Sequence, residues 1–166
     1  MPYSLTELNQ ATAAEFVAAI GGVYEETPAV ARQAWRDRPF TDLTDLQTKL
    51  HRVVEQFTAE QQLTLIRAHP DLGSRAQMAA ASVQEQTGAG LTSLSPTEYD
   101  RLLALNTAYK TKFGFPFIVA VRDHTKASVF TTLEQRLAHD LDTERQQTLA
   151  EIHRIAALRL QDWVTA

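Results

Sequence analysis

Apolar residues recur at intervals of three and four, not two, along most of the chain, and helix-start signals punctuate that pattern from end to end. A chain patterned in this way buries a stripe along each helix and not one face of a sheet. The expected fold class is therefore all-α, a single-domain multi-helix bundle over residues 1–166. The clearest start is Ser95-Pro96-Thr97-Glu98, where Ser95 can cap, Pro96 loses nothing at the first helical position, and Glu98 can close a capping box. Leu102, Leu105, Tyr109 and Phe113 then share one face, Arg101 and Lys110 fall on the polar side, and Gly114 suits a stop. Thr58-Ala59-Glu60-Gln61 opens a short helix through Leu63 and Ile66 toward His69, which Pro70 must end. Leu149, Ile152, Ala156, Leu160 and Trp163 form one stripe of a long helix over residues 142–164. Further helices are expected over residues 11–20, 28–36, 42–56, 77–87 and 126–140, and a loop over residues 87–93. Residues 117–121 fit either an extended run or a buried helix.

A length of 166 residues with 44% hydrophobic and 22% charged side chains is enough to bury a core without a disulfide or a structural metal. The sequence has no cysteine, which removes thiol nucleophiles and thiolate metal sites and fits a reducing, cytoplasmic setting. The net charge of −4, with Lys and Arg dispersed, argues against a nucleic-acid partner. No stretch approaches the roughly 20 apolar residues of a membrane span, and the opening residues show no secretory pattern, so a soluble, unprocessed chain with no membrane partner is expected.

Three segments break the helical grammar, and such breaks are where chemistry is usually placed. The first, Ala68-His69-Pro70-Asp71-Leu72-Gly73, puts a histidine at a helix end and locks it with the following proline. The negative end of the helix dipole favours a protonated, proton-donating imidazole there, although a histidine that only caps the last carbonyls fits the same pattern. The second, Ser82-Val83-Gln84-Glu85-Gln86, offers a hydroxyl and a carboxylate on one helix face, or else a capping box or solvated surface. The third, Phe113-Gly114-Phe115-Pro116-Phe117-Ile118-Val119-Ala120, cannot begin as regular helix. It either presents backbone N–H and C=O groups to a planar polar ligand or plugs the core. His51, His124, His139 and His153 lack the H-x-x-x-H and H-E-x-x-H spacings, so no metal is expected. Phosphate-binding glycine loops and the G-x-S-x-G serine motif are absent too.

Leu65-Ile66-Arg67-Ala68-His69-Pro70-Asp71-Leu72, Glu85-Gln86 with Gly88-Ala89-Gly90-Leu91, and Phe113-Gly114-Phe115-Pro116-Phe117-Ile118 resemble, in order and approximate spacing, the signatures of the 2-oxo-4-hydroxy-4-carboxy-5-ureidoimidazoline (OHCU) decarboxylase family. The resemblance covers nearly the whole chain, from Leu8-Asn9 to Leu158-Arg159-Leu160. It implies an all-α single domain, commonly a homodimer, that decarboxylates OHCU to (S)-allantoin without metal or organic cofactor in urate breakdown. By motif, it implies His69 as the catalytic proton donor, with Pro70 beside the substrate ring. Glu85 joins it as a catalytic residue that orients substrate or relays a proton, and Ser82, Val83, Gln84 and Gln86 complete that substrate-binding strip. Phe117, Ile118, Val119, Ala120 and Val121 match the segment whose backbone lines the pocket, and Arg159, ahead of Arg122, is the candidate partner for the substrate carboxylate. Two alternatives stand beside this reading: a non-catalytic helical binding module, and a cofactor-free hydrolase or isomerase of a related ureide.

Overall fold

The computed structural model describes residues 2–70, 72 and 94–165. Among these, regular structure is helical except for a parallel pairing of Tyr3–Ser4 (β1) with Val164–Thr165 (β2). No helix of the described residues is long and apolar enough to cross a membrane. The chain divides into two compact units, one made of residues 1–68 and 153–166 and the other of residues 69–152.

The first unit begins with α1 (Leu5–Gln10) and α2 (Ala13–Ile20), each opened by a reciprocal capping box, Ser4 with Glu7 and Thr12 with Glu15. The helix expected from residue 11 thus starts at Ala13, because Thr12 satisfies the first free N–H groups from outside it. The helix expected over residues 28–36 divides into α3 (Ala29–Ala34) and a 3-10 turn at Trp35–Asp37, with Pro39 two residues on and unable to continue a helix. α4 (Leu43–Glu55), capped by Asp42, turns Leu46, Leu50, Val53 and Val54 inward. α5 (Ala59–Ala68) follows, with Thr58 and Gln61 exchanging side-chain and backbone hydrogen bonds at its start. Phe16 and Phe40 stack at 5.6 Å between ring centroids in this core. Asn9 fixes the backbone of Phe40, donating to its carbonyl at 3.0 Å and accepting from its N–H at 2.7 Å.

In the second unit α6 (Pro96–Phe113) forms as expected, with the Ser95–Glu98 capping box, Pro96 at the first position and Gly114 closing it at φ 79°. Leu102, Tyr109 and Phe113 are buried and Leu105 is half-buried, so the predicted stripe is the inward face. α7 (Lys126–Leu137) stops short of residue 140 because Asp140 accepts from the Thr143 N–H at 2.7 Å and so belongs to the start of α8 (Leu141–Trp163). α8 supplies residues 141–152 to this unit and its remainder to the first. Ion pairs of Lys126 with Glu98 and of Arg101 with Glu134 lie on the surface of this unit. The helix expected over residues 77–87 and the loop over 87–93 lie outside the described residues.

The left-handed backbone at Gly114 is one that a Cβ disfavours. Gly114→Ala should therefore lower the unfolding free energy by about 1 kcal/mol in urea titrations, with helix content unchanged by circular dichroism.

Candidate active site

After Gly114 the chain runs through the second unit without repetitive structure until a 3-10 turn at Val121–Asp123, and residues 115–121 are all buried. Residues 117–120 are thus neither helix nor strand, Ala120 being extended at φ −75° and ψ 93°, and Val121 opens the 3-10 turn. Tyr109 gathers the aromatic rings, its centroid 4.7 Å from Phe113, 5.9 Å from Phe115 and 5.3 Å from Phe117.

Backbone that crosses an interior outside helix or sheet must find other partners for its polar groups. Here Arg136 Nη1 donates to the Ile118 carbonyl at 2.6 Å, and the Ala120 N–H donates to Glu151 Oε1 at 3.4 Å. The Arg136 guanidinium also lies over the Phe117 ring, 4.5 Å from its centroid. Its charge is balanced by Glu144, whose side chain is fully buried and takes a hydrogen bond from Arg136 Nε. Glu144 accepts as well from the Tyr109 hydroxyl at 2.6 Å and pairs with His139 Nδ1 at 3.0 Å, while Arg136 Nη2 donates to Thr148 Oγ1 at 3.1 Å. Burial, and then the hydrogen bond to the Glu144 carboxylate, push the Tyr109 phenol up, so it remains a donor at all ordinary pH.

His69 follows the last residue of α5 and is 3% exposed, with Pro70 half-buried beside it in sequence. An imidazole so shielded is largely out of contact with bulk water. Ser82, Val83, Gln84, Glu85 and Gln86 lie outside the described residues. Arg159, in the first unit, is buried and donates through Nη1 to the Gly22 carbonyl at 3.1 Å and to Glu25 Oε2 at 3.0 Å. Its charge is thus matched by a carboxylate of the protein itself, while Arg122 is exposed on the 3-10 turn.

Sequence reasoning did not find Arg136, Glu144, Thr148 or Glu151. A signal was present for the arginine: Arg136 continues the register of Val129 and Leu133, so a charge occupies a position on an apolar stripe. Among the described residues one group of metal-ligating side chains converges, His51, Glu55 and His153 in the first unit, which linear spacing did not reveal.

The OHCU decarboxylase family model matches residues 9–161. An OHCU decarboxylase of Halalkalicoccus jeotgali is 43% identical over 159 residues, covering 96% of this chain and 90% of that protein. A uric acid degradation bifunctional protein of Bacillus subtilis is 40% identical over 163 residues, 98% of this chain, which spans 33% of that longer protein. The crystal structure of an (S)-allantoin synthase superposes with a TM-score of 0.82 at 30% identity, covering 99% of this chain and 54% of that one.

Removing one member of a buried ion pair strands the other charge. Arg136→Met should lower the unfolding free energy by about 3–5 kcal/mol in denaturant titrations, and adding Glu144→Gln to it should recover part of that loss.

Proposed function

The chain belongs to the OHCU decarboxylase family, and we propose that it is a carboxy-lyase converting OHCU to (S)-allantoin and carbon dioxide in urate breakdown. The observation that carries this reading is His69, a histidine with 3% exposure directly before a proline, at the position where the resemblance expects the proton donor.

The carboxylate of OHCU stands next to a ring C=N bond. As the bond to carbon dioxide breaks, its electron pair flows into that imine, whose nitrogen takes up a proton, and an enol-like intermediate remains. The substrate supplies its own electron sink, so the reaction does not need an added one. The enol hydroxyl then releases its proton to solvent and becomes a carbonyl as another proton adds to the carbon bearing the ureido group. The protein's tasks are to hold the ring, align the breaking bond with the π-system, and deliver that proton to one face. In this proposal His69 donates it and Pro70 packs beside the ring.

On the family resemblance, Glu85 orients the substrate hydroxyl or ureido groups or relays a proton, and Ser82, Val83, Gln84 and Gln86 are further substrate-binding residues. The backbone of residues 117–121, already held on one side by Arg136 and Glu151, offers its remaining groups to the planar polar ring. Arg159 can meet the substrate carboxylate only by sharing its guanidinium with Glu25. A shared cation grips the anion less firmly, which suits a step in which that charge moves from the carboxylate into the ring. One family match over residues 9–161 supports treating residues 1–166 as one domain. A homodimer, on the family resemblance, and a cytoplasmic setting, on the cysteine-free composition, complete the proposal.

Circular dichroism of allantoin formed from freshly generated OHCU tests the reaction and the donor together. Wild-type protein should accelerate appearance of the (S) signal. His69→Gln should reduce that rate by at least about 100-fold while far-ultraviolet dichroism stays unchanged. No acceleration by folded wild-type protein would remove the assignment; full activity in His69→Gln would remove only the donor.

A further inference from the structure

The first unit contains a cluster of ionisable groups that the decarboxylation does not use. His51 and Glu55 stand one turn apart on α4, and His153 reaches them from α8. His51 Nε2 is 2.8 Å from Glu55 Oε1, and His153 Nε2 is 3.9 Å from the same oxygen. The two imidazoles stack at 3.6 Å between centroids with a 29° tilt. One ligand atom from each of the three side chains lies within 4.8 Å of the others.

We propose that His51, Glu55 and His153 form a binding site for a divalent transition-metal ion of the zinc class. Two imidazoles and one carboxylate make a donor set that zinc accepts in tetrahedral geometry with a fourth position left for water, and nitrogen donors disfavour calcium and magnesium. Ligand atoms at bonds of about 2.0–2.2 Å around such an ion are separated by roughly 3.3 Å, and the observed 2.8 and 3.9 Å lie on either side of that value.

The state of His153 supports the same assignment. Its Nε2 is buried with no hydrogen-bond partner, a condition that calls for an explanation. Its Nδ1 is 2.7 Å from the Tyr24 hydroxyl. In the tautomer whose Nδ1–H donates to that oxygen, the Nε2 lone pair is left on the side of the Glu55 carboxylate, an arrangement of two acceptors that a cation resolves. His51 and Glu55 have side-chain exposures of 45% and 63%, which gives an ion access from solvent and lets both side chains adjust around it. An ion held there ties α4 to α8 within this unit.

The test uses the full-length, untagged chain after chelator treatment, titrated with zinc chloride against a chromophoric competitor, with cobalt(II) absorption as the spectroscopic probe. One equivalent of zinc should bind with a dissociation constant on the order of micromolar or below. Glu55→Gln and His51→Ala, both at exposed positions, should each weaken it by at least about tenfold and remove the tetrahedral cobalt bands, while His124→Ala leaves it unchanged. Saturating zinc should raise the thermal midpoint of the wild type by on the order of 5 °C and that of Glu55→Gln by much less. Absence of saturable zinc binding, or binding that survives both substitutions, overturns the proposal.

Discussion

The second unit is organised around a carboxylate that would be unaffordable alone. Glu144 is fully buried, and an ionised carboxylate taken out of water costs several kcal/mol unless partners replace its hydration. Arg136, Tyr109 and His139 supply those partners, and each comes from a position the helices have already placed inward or at the rim. Arg136 in turn spends another donor on the Ile118 carbonyl. That bond lets a stretch of irregular backbone lie inside an apolar environment with a main-chain carbonyl satisfied. The route of residues 115–121 therefore depends on the ion pair as much as on the aromatic rings packed along it.

Much of the helical plan was legible because it rests on local chemistry. The Ser95–Glu98 capping box and Gly114 mark both ends of α6 in the sequence, and each has its expected role in the structure. α1 escaped notice because six residues are too few to show a period, although Ser4 and Glu7 carry the same capping signature. The limits of α3 and α7 moved because Trp35 begins a tighter turn and Asp140 serves the following helix, competitions that periodicity does not register. The open choice at residues 117–121 could not be made locally, since an apolar run of that length suits either backbone; the partners that decide it sit on α7 and α8.

The candidate site was legible to the extent that a local constraint announced it. His69 stood out because Pro70 fixes the chain after it, and its burial agrees with a shielded role. Arg136 and Glu144 did not, because charged residues on a helix ordinarily read as its solvated face. The grouping of His51 and Glu55 with His153 was invisible for a different reason: about a hundred residues separate the third member from the other two, and only the fold brings them together. Arg159 was read as a substrate contact, and the structure adds Glu25 as a partner that sequence spacing could not have supplied.

The proposed division of labour assigns chemistry to His69 and shape to a backbone segment that a buried ion pair holds in place. Amide NMR spectra of the isotope-labelled chain during titration with (S)-allantoin probe that assignment. Saturable shifts at the amides of residues 117–121 and of His69, with α1 and α2 undisturbed, are the result this account predicts. Saturable binding of (S)-allantoin that leaves residues 117–121 unshifted would contradict it.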